Sequence, residues 1–291
     1  MSYRRRASPL HAARAAVAIA WCAALAVATL TQSNPVVLGT VTVAIVAAGI
    51  LAGVGRELRR SLVWALPLWF TITAINALVT RNGLTVIWRM GEVPLVGQVN
   101  ITLEATVYGA VLGLRAVALV LIGTLYSVVV DPDDVLRLFR GLSFNSALSA
   151  TIATRMVPVL VRDSRRRSEA QRCRPGPAPG RAQLLQASTS GVLDRALDIA
   201  ATLEVRGYAA ARQRARGRRT RSEPWSRHDL AFMFSALAVV GVALGGRIAG
   251  WASFQAYPVL RAPAGARVLS LALVLLLAAV APFCDRRGVR R

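Results

Sequence analysis

Two arginines stand where a cation can do the most for recognition: Arg174, followed by Pro175-Gly176, and Arg206, followed by Gly207. Each closes a stretch of helical pattern just before a helix breaker. A cation in the last turn of a helix complements the helix dipole. The planar guanidinium of arginine can also grip a carboxylate or phosphate through two parallel hydrogen bonds. The chemistry on offer is recognition of an acidic group. Both arginines belong to the stretch Thr151–Tyr208, which lies between segments apolar enough to be membrane.

The helix leading to Arg206 is the clearer of the two. Val192, Ala196, Ile199 and Leu203 recur at i, i+4, i+7 and i+11, which aligns them on one face. Leu193, Leu197 and Ala200 widen the stripe, while Asp194, Asp198 and Glu204 lie off its centre. Arg206 follows Ile199 by seven residues and so falls at the end of the stripe. Gly207 suits the residue after a helix, where a positive φ is common. An apolar ridge tipped with a guanidinium fits a groove that ends in a carboxylate. The same pattern also fits a helix lying on a membrane, with its arginine on lipid phosphate.

Composition excludes several classes of chemistry. The 291 residues carry 36 basic side chains, every one an arginine, against 14 acidic ones, for a formal charge of +22, and 55% of the chain is hydrophobic. Apolar and basic residues occupy different stretches, the pattern of a polytopic membrane protein. A chain without lysine has neither a P-loop nor a Schiff-base nucleophile. The two histidines, His11 and His228, and the three cysteines, Cys22, Cys173 and Cys284, are isolated and show no metal or disulfide spacing. No catalytic residue, metal site or cofactor is therefore expected, and the chain reads as a non-enzyme.

The elements that must position the arginines follow from hydropathy. Spanning helices are expected over 12–30, 36–54, 62–79 and 103–130, then 230–244 and 268–283, with Pro67 kinking the third. The chain thus divides into four N-terminal transmembrane helices (1–130), a cytoplasmic region (131–228) and two C-terminal transmembrane helices (229–291). The Arg4–Arg6 cluster before an apolar run resembles a signal peptide, but an uncleaved first helix is the preferred reading. Arg56, Arg59 and Arg60 crowd a short loop between the second and third spans. Residues 81–100, alternating apolar and polar near Val93–Val99, suggest a small hairpin or re-entrant loop. Asp131-Pro132-Asp133-Asp134 stops the fourth span and caps a new helix. An apolar helix over 143–161 precedes a segment, 162–174, charged on most faces, and prolines and glycines at 175–180 break the chain before the second arm helix. Gly245–Gly265 reads as an interfacial crossing. Residues 209–227 read as a solvated Arg-rich loop near anionic lipid, and nucleic acid need not be invoked. With four spans before the arm and two after, every arginine cluster falls on one side. The positive-inside rule makes that side cytoplasmic, with both termini there. Arg115, inside the fourth span, reads either as a contact with a partner subunit or an internal carboxylate such as Glu104, or as a snorkelling side chain or a span boundary misplaced by a turn, the latter pair slightly preferred.

Taken together, these residues resemble the transmembrane T component of energy-coupling factor (ECF) transporters, the cobalt-transport permease family. Ala170-Gln171-Arg172-Cys173-Arg174-Pro175 is similar to the first short Arg-containing motif of that family, and Leu203-Glu204-Val205-Arg206-Gly207-Tyr208 to the second. Thr154–Leu160 is similar to the segment leading into the first motif, and Asp131–Leu136 to the turn after the fourth helix. The resemblance runs in order over nearly the whole chain. It implies an all-α integral membrane protein of about six transmembrane helices with Arg-tipped cytoplasmic coupling helices, in the cell (plasma) membrane. It implies two cytoplasmic ATP-binding ATPase subunits and a membrane-embedded, substrate-binding S component as partners, with the lipid bilayer around them. Its ATPase-coupling positions would be Ala170, Gln171, Cys173 and Arg174 in the first motif and Glu204, Val205, Arg206 and Gly207 in the second. ATP hydrolysis would belong to the partners, and the cargo would be a vitamin or a metal ion. The first motif departs from the family pattern, with Cys173 for alanine and Pro175 for glycine. Proline ends a helix but offers no positive φ, so weaker docking at Arg174 than at Arg206 is expected. The competing class is a self-contained transporter that moves substrate through its own helices, which calls for polar groups clustered mid-membrane.

Overall fold

Helix starts and stops follow local chemistry throughout. The computed structural model describes residues 8–80, 85–93, 97–140, 144–173, 181–207, 225–257 and 264–284. The helices are α1 (Pro9–Ala12), α2 (Ala15–Thr31), α3 (Pro35–Leu51), α4 (Gly55–Val79), α5 (Leu103–Val129), α6 (Pro132–Arg140), α7 (Phe144–Arg172), α8 (Arg181–Val205), α9 (Arg227–Ile248) and α10 (Ala266–Val280). A 3-10 turn, Ala281–Phe283, extends α10, and an antiparallel hairpin of β1 (Val86–Val93) and β2 (Gly97–Thr102) precedes α5. The chain divides into two units, one of Met1–Pro132 with Trp225–Arg291 and one of Asp133–Pro224.

The first unit is a bundle of apolar helices. Helices α4, α5, α9 and α10 with its 3-10 turn are long and apolar enough to cross a membrane, while α2 and α3 are apolar but only 17 residues each. At 1.5 Å per residue they reach about 25 Å, near the lower limit for a span. These six helices match the six expected spans, and the protein is an all-α membrane protein. The hairpin expected between the third and fourth spans is present, with its register shifting between Val86 and Trp88 and between Arg89 and Glu92.

Caps account for the boundaries. Asn34 accepts from the Val36 N–H and Pro35 opens α3, and Thr102 accepts from the Ala105 N–H at the start of α5. Ser226 and Asp229 cap each other reciprocally at the start of α9. Asp229 also accepts from the Arg14 backbone N–H at 2.7 Å and pairs with its guanidinium at 3.5 Å, tying the entry of α2 to that of α9. The core lies where α2, α9 and α10 meet. Trp21 is fully buried and its ring meets Phe232 and Phe283 edge-on, each at 5.7 Å. Its indole N–H donates to Ser235 Oγ, which donates to Ala278 O, so no polar atom of the trio is left unpaired.

Helices α4 and α5 pack backbone to backbone. A Cβ on Gly109 would lie 2.8 Å from Asn76 Cβ and 3.0 Å from Thr73 Cα, so this close approach requires glycine. The Trp69 indole N–H donates across the same seam to Ala110 O.

Several expectations are corrected. Arg56, Arg59 and Arg60 lie in the first turns of α4 rather than in a loop, because Gly53 at φ 75° completes the α3–α4 turn by itself. Helix α9 continues to Ile248, past its expected end at Leu244. Arg115 neither pairs with Glu104 nor snorkels. Its Nη2 donates at 2.8 Å to Gln32 O at the C-terminus of α2, where helix carbonyls lack partners and the dipole favours a cation. Arg247 donates to the neighbouring Thr31 O. Glu104 instead accepts from the Thr85 N–H and hydroxyl, which fastens the hairpin to α5.

Candidate functional site

The second unit carries the predicted arm. Helix α7 runs unbroken through Pro158 to Arg172, joining the apolar and charged segments that the sequence separates. Helix α8 starts at Arg181, eleven residues before Val192, and carries Gly191 within it. The second helical segment is therefore longer than its apolar period shows. The break assigned to 175–180 lies outside the described residues, as does the Arg-rich loop assigned to 209–227 up to residue 224, while Arg227 opens α9.

Facing stripes bring the two helices together. Ile152, Met156 and Leu160 recur every four residues on α7 and line an apolar cleft of about 180 Å³ with Val192, Ala196 and Ile199 of α8. The stripe read from the sequence thus lines the cleft between the arm helices. Beside it, Asp163 of α7 accepts from Arg195 Nη1 at 2.6 Å, an ion pair across the two helices. Neither Asp163 nor Arg195 was singled out in the sequence. The available signal was position: Asp163 follows Leu160 by three residues and Arg195 lies between Val192 and Ala196, so each stands beside its helix's apolar stripe, where an opposite charge on the facing helix can meet it.

Apolar surface remains on the arm after this packing. Leu193 and Leu197, one turn apart on α8, are exposed, as are Val157 and Val161 on α7. Val205, the last residue of α8, is 89% exposed.

The tip of α8 has the geometry its sequence asks for. Arg206 N–H donates to Thr202 O at 3.1 Å and Gly207 N–H to Glu204 O at 2.9 Å, with Gly207 at φ 66°. The second bond is the five-to-two closure of a left-handed helix end, open to glycine at little cost. Glu204, Val205, Arg206 and Gly207 form one continuous exposed tip. At the end of α7, Ala170 is exposed, Gln171 falls in the last turn, and Cys173 is an exposed free thiol whose N–H donates to Glu169 O at 3.3 Å. Arg174 lies outside the described residues. Among the described residues no hydrogen bond or ion pair joins the two tips, and no group of three His, Cys, Asp or Glu side chains could hold a metal ion.

A bundle of apolar helices joined in sequence to a pair of charged, cleft-forming helices defines a polytopic membrane protein with a separate helical arm. Residues 6–216 match the sequence profile of the cobalt transport protein family, CbiQ, and the chain belongs to that family. The matched region takes in the first four apolar helices of the bundle and both arm helices, so the family expected from the arm motifs is the one found. No curated protein is significantly similar to the chain.

Proposed function

We propose that this chain is the transmembrane scaffold (T) subunit of an ECF-type importer. In this reading it couples ATP hydrolysis by two partner ATPases to uptake of a vitamin or metal ion through a separate S component. The observation that carries the proposal is the tip of α8: a guanidinium on a left-handed glycine turn, beside an apolar residue with nearly all its surface in solvent. A groove that buries Val205 and offers a carboxylate to Arg206 satisfies both. The chain has no catalytic part in this scheme. Its arm lies in the cytoplasm with both termini, and its bundle lies in the plasma membrane, as the arginine distribution favours. ATP-driven movement of the ATPases would then shift α7 and α8 and pass that motion to the S component.

The test is co-expression with the neighbouring ATPases and detergent pull-down of wild type, Arg206→Ala and Arg174→Ala. Removing one partner of a desolvated charge pair costs about 2–5 kcal/mol, so ATPase recovery is expected to fall more than about tenfold for Arg206→Ala while membrane insertion is kept. A smaller loss is expected for Arg174→Ala, given Pro175. Undiminished recovery from the double variant would remove the docking mechanism and leave self-contained transport as the better reading.

A further inference from the structure

A second site lies in the bundle, at the end that carries the β-hairpin. A cavity of about 460 Å³ is lined by Ser33 from the α2–α3 turn, Tyr108 and Arg115 from α5, and Phe254, Gln255 and Tyr257 from the α9–α10 connection. Tyr108 and Arg115 are two turns apart on α5 and so share a face. The Tyr108 and Tyr257 rings sit 5.6 Å apart.

Two buried polar atoms of this cavity, Arg115 Nε and Tyr257 Oη, have no hydrogen-bond partner. Arg115 has five N–H donors, and its bond to Gln32 O uses one. Among the described residues no carboxylate pairs with Arg115. The nearest acidic candidate on the same helix face, Glu104, lies about three turns away and is engaged by Thr85. Arg247, on the adjacent carbonyl of α2, adds a second positive charge nearby. An uncompensated guanidinium in a membrane helix is costly, and an anion would offset that cost. Burial raises the Tyr257 phenol above its ordinary range and the Tyr108 and Glu104 side chains add to this, while the Thr80 side chain opposes it without reaching hydrogen-bond geometry in this structure, so the phenol remains a donor at neutral pH.

We propose that this cavity binds an organic oxyanion, a phosphate or carboxylate group carried on a partly apolar body, with Arg115 and Tyr257 as its donors. The volume lies in the range of small-molecule sites and exceeds what a bare phosphate needs, and the aromatic walls suit an apolar body. The same positive charge repels a divalent cation, so a cobalt cargo would not pass through this cavity. The proposal uses no residue of the arm and stands apart from the coupling reading. The ligand could come from the bilayer, as an anionic headgroup, or from the aqueous phase, as a soluble organophosphate.

The test is native mass spectrometry with thermal-shift titration of the detergent-purified full chain. Its probes are glycerol 3-phosphate, a short-chain phosphatidylglycerol, and a diacylglycerol with the same chains and no phosphate. One or both phosphate probes should bind, and diacylglycerol should not. Arg115→Gln should weaken that binding about tenfold or more, and Tyr257→Phe about threefold. Gln255→Glu, at an exposed lining position remote from the helix packing, should also weaken it by placing a negative charge beside the site. That variant keeps the test decisive if Arg115→Gln fails to fold. Binding of phosphatidylglycerol alone identifies a lipid source, and binding of glycerol 3-phosphate an aqueous one. Equal binding of diacylglycerol, binding unchanged in both Arg115→Gln and Gln255→Glu, or no binding of either phosphate probe would overturn the proposal.

Discussion

The bundle and the arm spend their apolar residues differently. In the bundle, Trp21, Phe232 and Phe283 interlock and the polar atoms beside them are paired within the chain. The apolar surface it leaves open is spread along whole spans; little of α4 is buried, and Trp64 is 75% exposed. A bilayer satisfies such surface uniformly, because lipid is as apolar as the side chains. In the arm, exposed Leu193, Leu197, Val157, Val161 and Val205 stand among arginines and acids. Neither water nor bilayer interior suits that mixture. The bundle is built to be solvated by lipid, and the arm carries the mixed surface that the proposed coupling role requires a partner to cover.

The largest effects should come from breaking the bundle. Trp21→Ala opens a cavity between three helices and leaves the Ser235 oxygen without its donor, which costs about 3–5 kcal/mol. A fall of the detergent melting temperature by ten degrees or more is expected, and a melting temperature equal to wild type would mean that the aromatic trio is not the core. Gly109→Leu forces the α4–α5 backbones apart at a cost of about 1–3 kcal/mol. It should lower the melting temperature and leave ATPase recovery per folded molecule unchanged. If recovery falls instead while the fold holds, a change in the bundle reaches the arm.

How much was legible beforehand follows the same division. The six spans, the hairpin near Val93–Val99 and the new helix that begins at Pro132 with Asp133 and Asp134 in its first turn follow from period, length and turn chemistry, which are local. Gly207 and the stripe at Val192, Ala196 and Ile199 were legible for the same reason. The joining of two patterns into α7 was not, because Pro158 and a change from apolar to charged residues both mimic a boundary while neither forbids a continuous helix. The start of α8 at Arg181 was hidden because its first ten residues carry no clear apolar period. The partner of Arg115 was a backbone carbonyl 83 residues away, and no side-chain pattern announces a carbonyl. The Asp163–Arg195 pair and the cavity at Tyr257 need tertiary placement of segments far apart in sequence.

An intermediate effect is expected at the tip. Gly207→Val puts a β-branched residue at φ 66°, a strain of about 1–2 kcal/mol that unwinds the last turn of α8. Nothing lies within 4 Å of the added Cβ, so backbone conformation alone is tested. ATPase recovery should fall while the melting temperature of the bundle stays put. Gly207→Asn, which tolerates the left-handed region, should restore most of the recovery. Equal loss in both variants would assign the effect to a side-chain clash with the partner and away from the turn.

The smallest effect sharpens the comparison most, because it concerns how the arm holds itself together without a buried core. Asp163 and Arg195 are partly exposed, at 29% and 41% of their side-chain surface. Water and salt screen such a pair, and it contributes no more than about 1 kcal/mol. Its short contact and its place beside the cleft give it a directional role that its energy does not show: it fixes how α7 meets α8 while the apolar contacts allow sliding. Asp163→Asn and Arg195→Gln should each raise amide hydrogen exchange in both helices by a few-fold. The double variant should fall short of the sum of the two single ones, since both changes remove the Asp163–Arg195 bond. High salt should reproduce the effect in wild type and add nothing in the variants. If the singles add instead, the two side chains act on separate partners, and the helices are held by the apolar cleft alone.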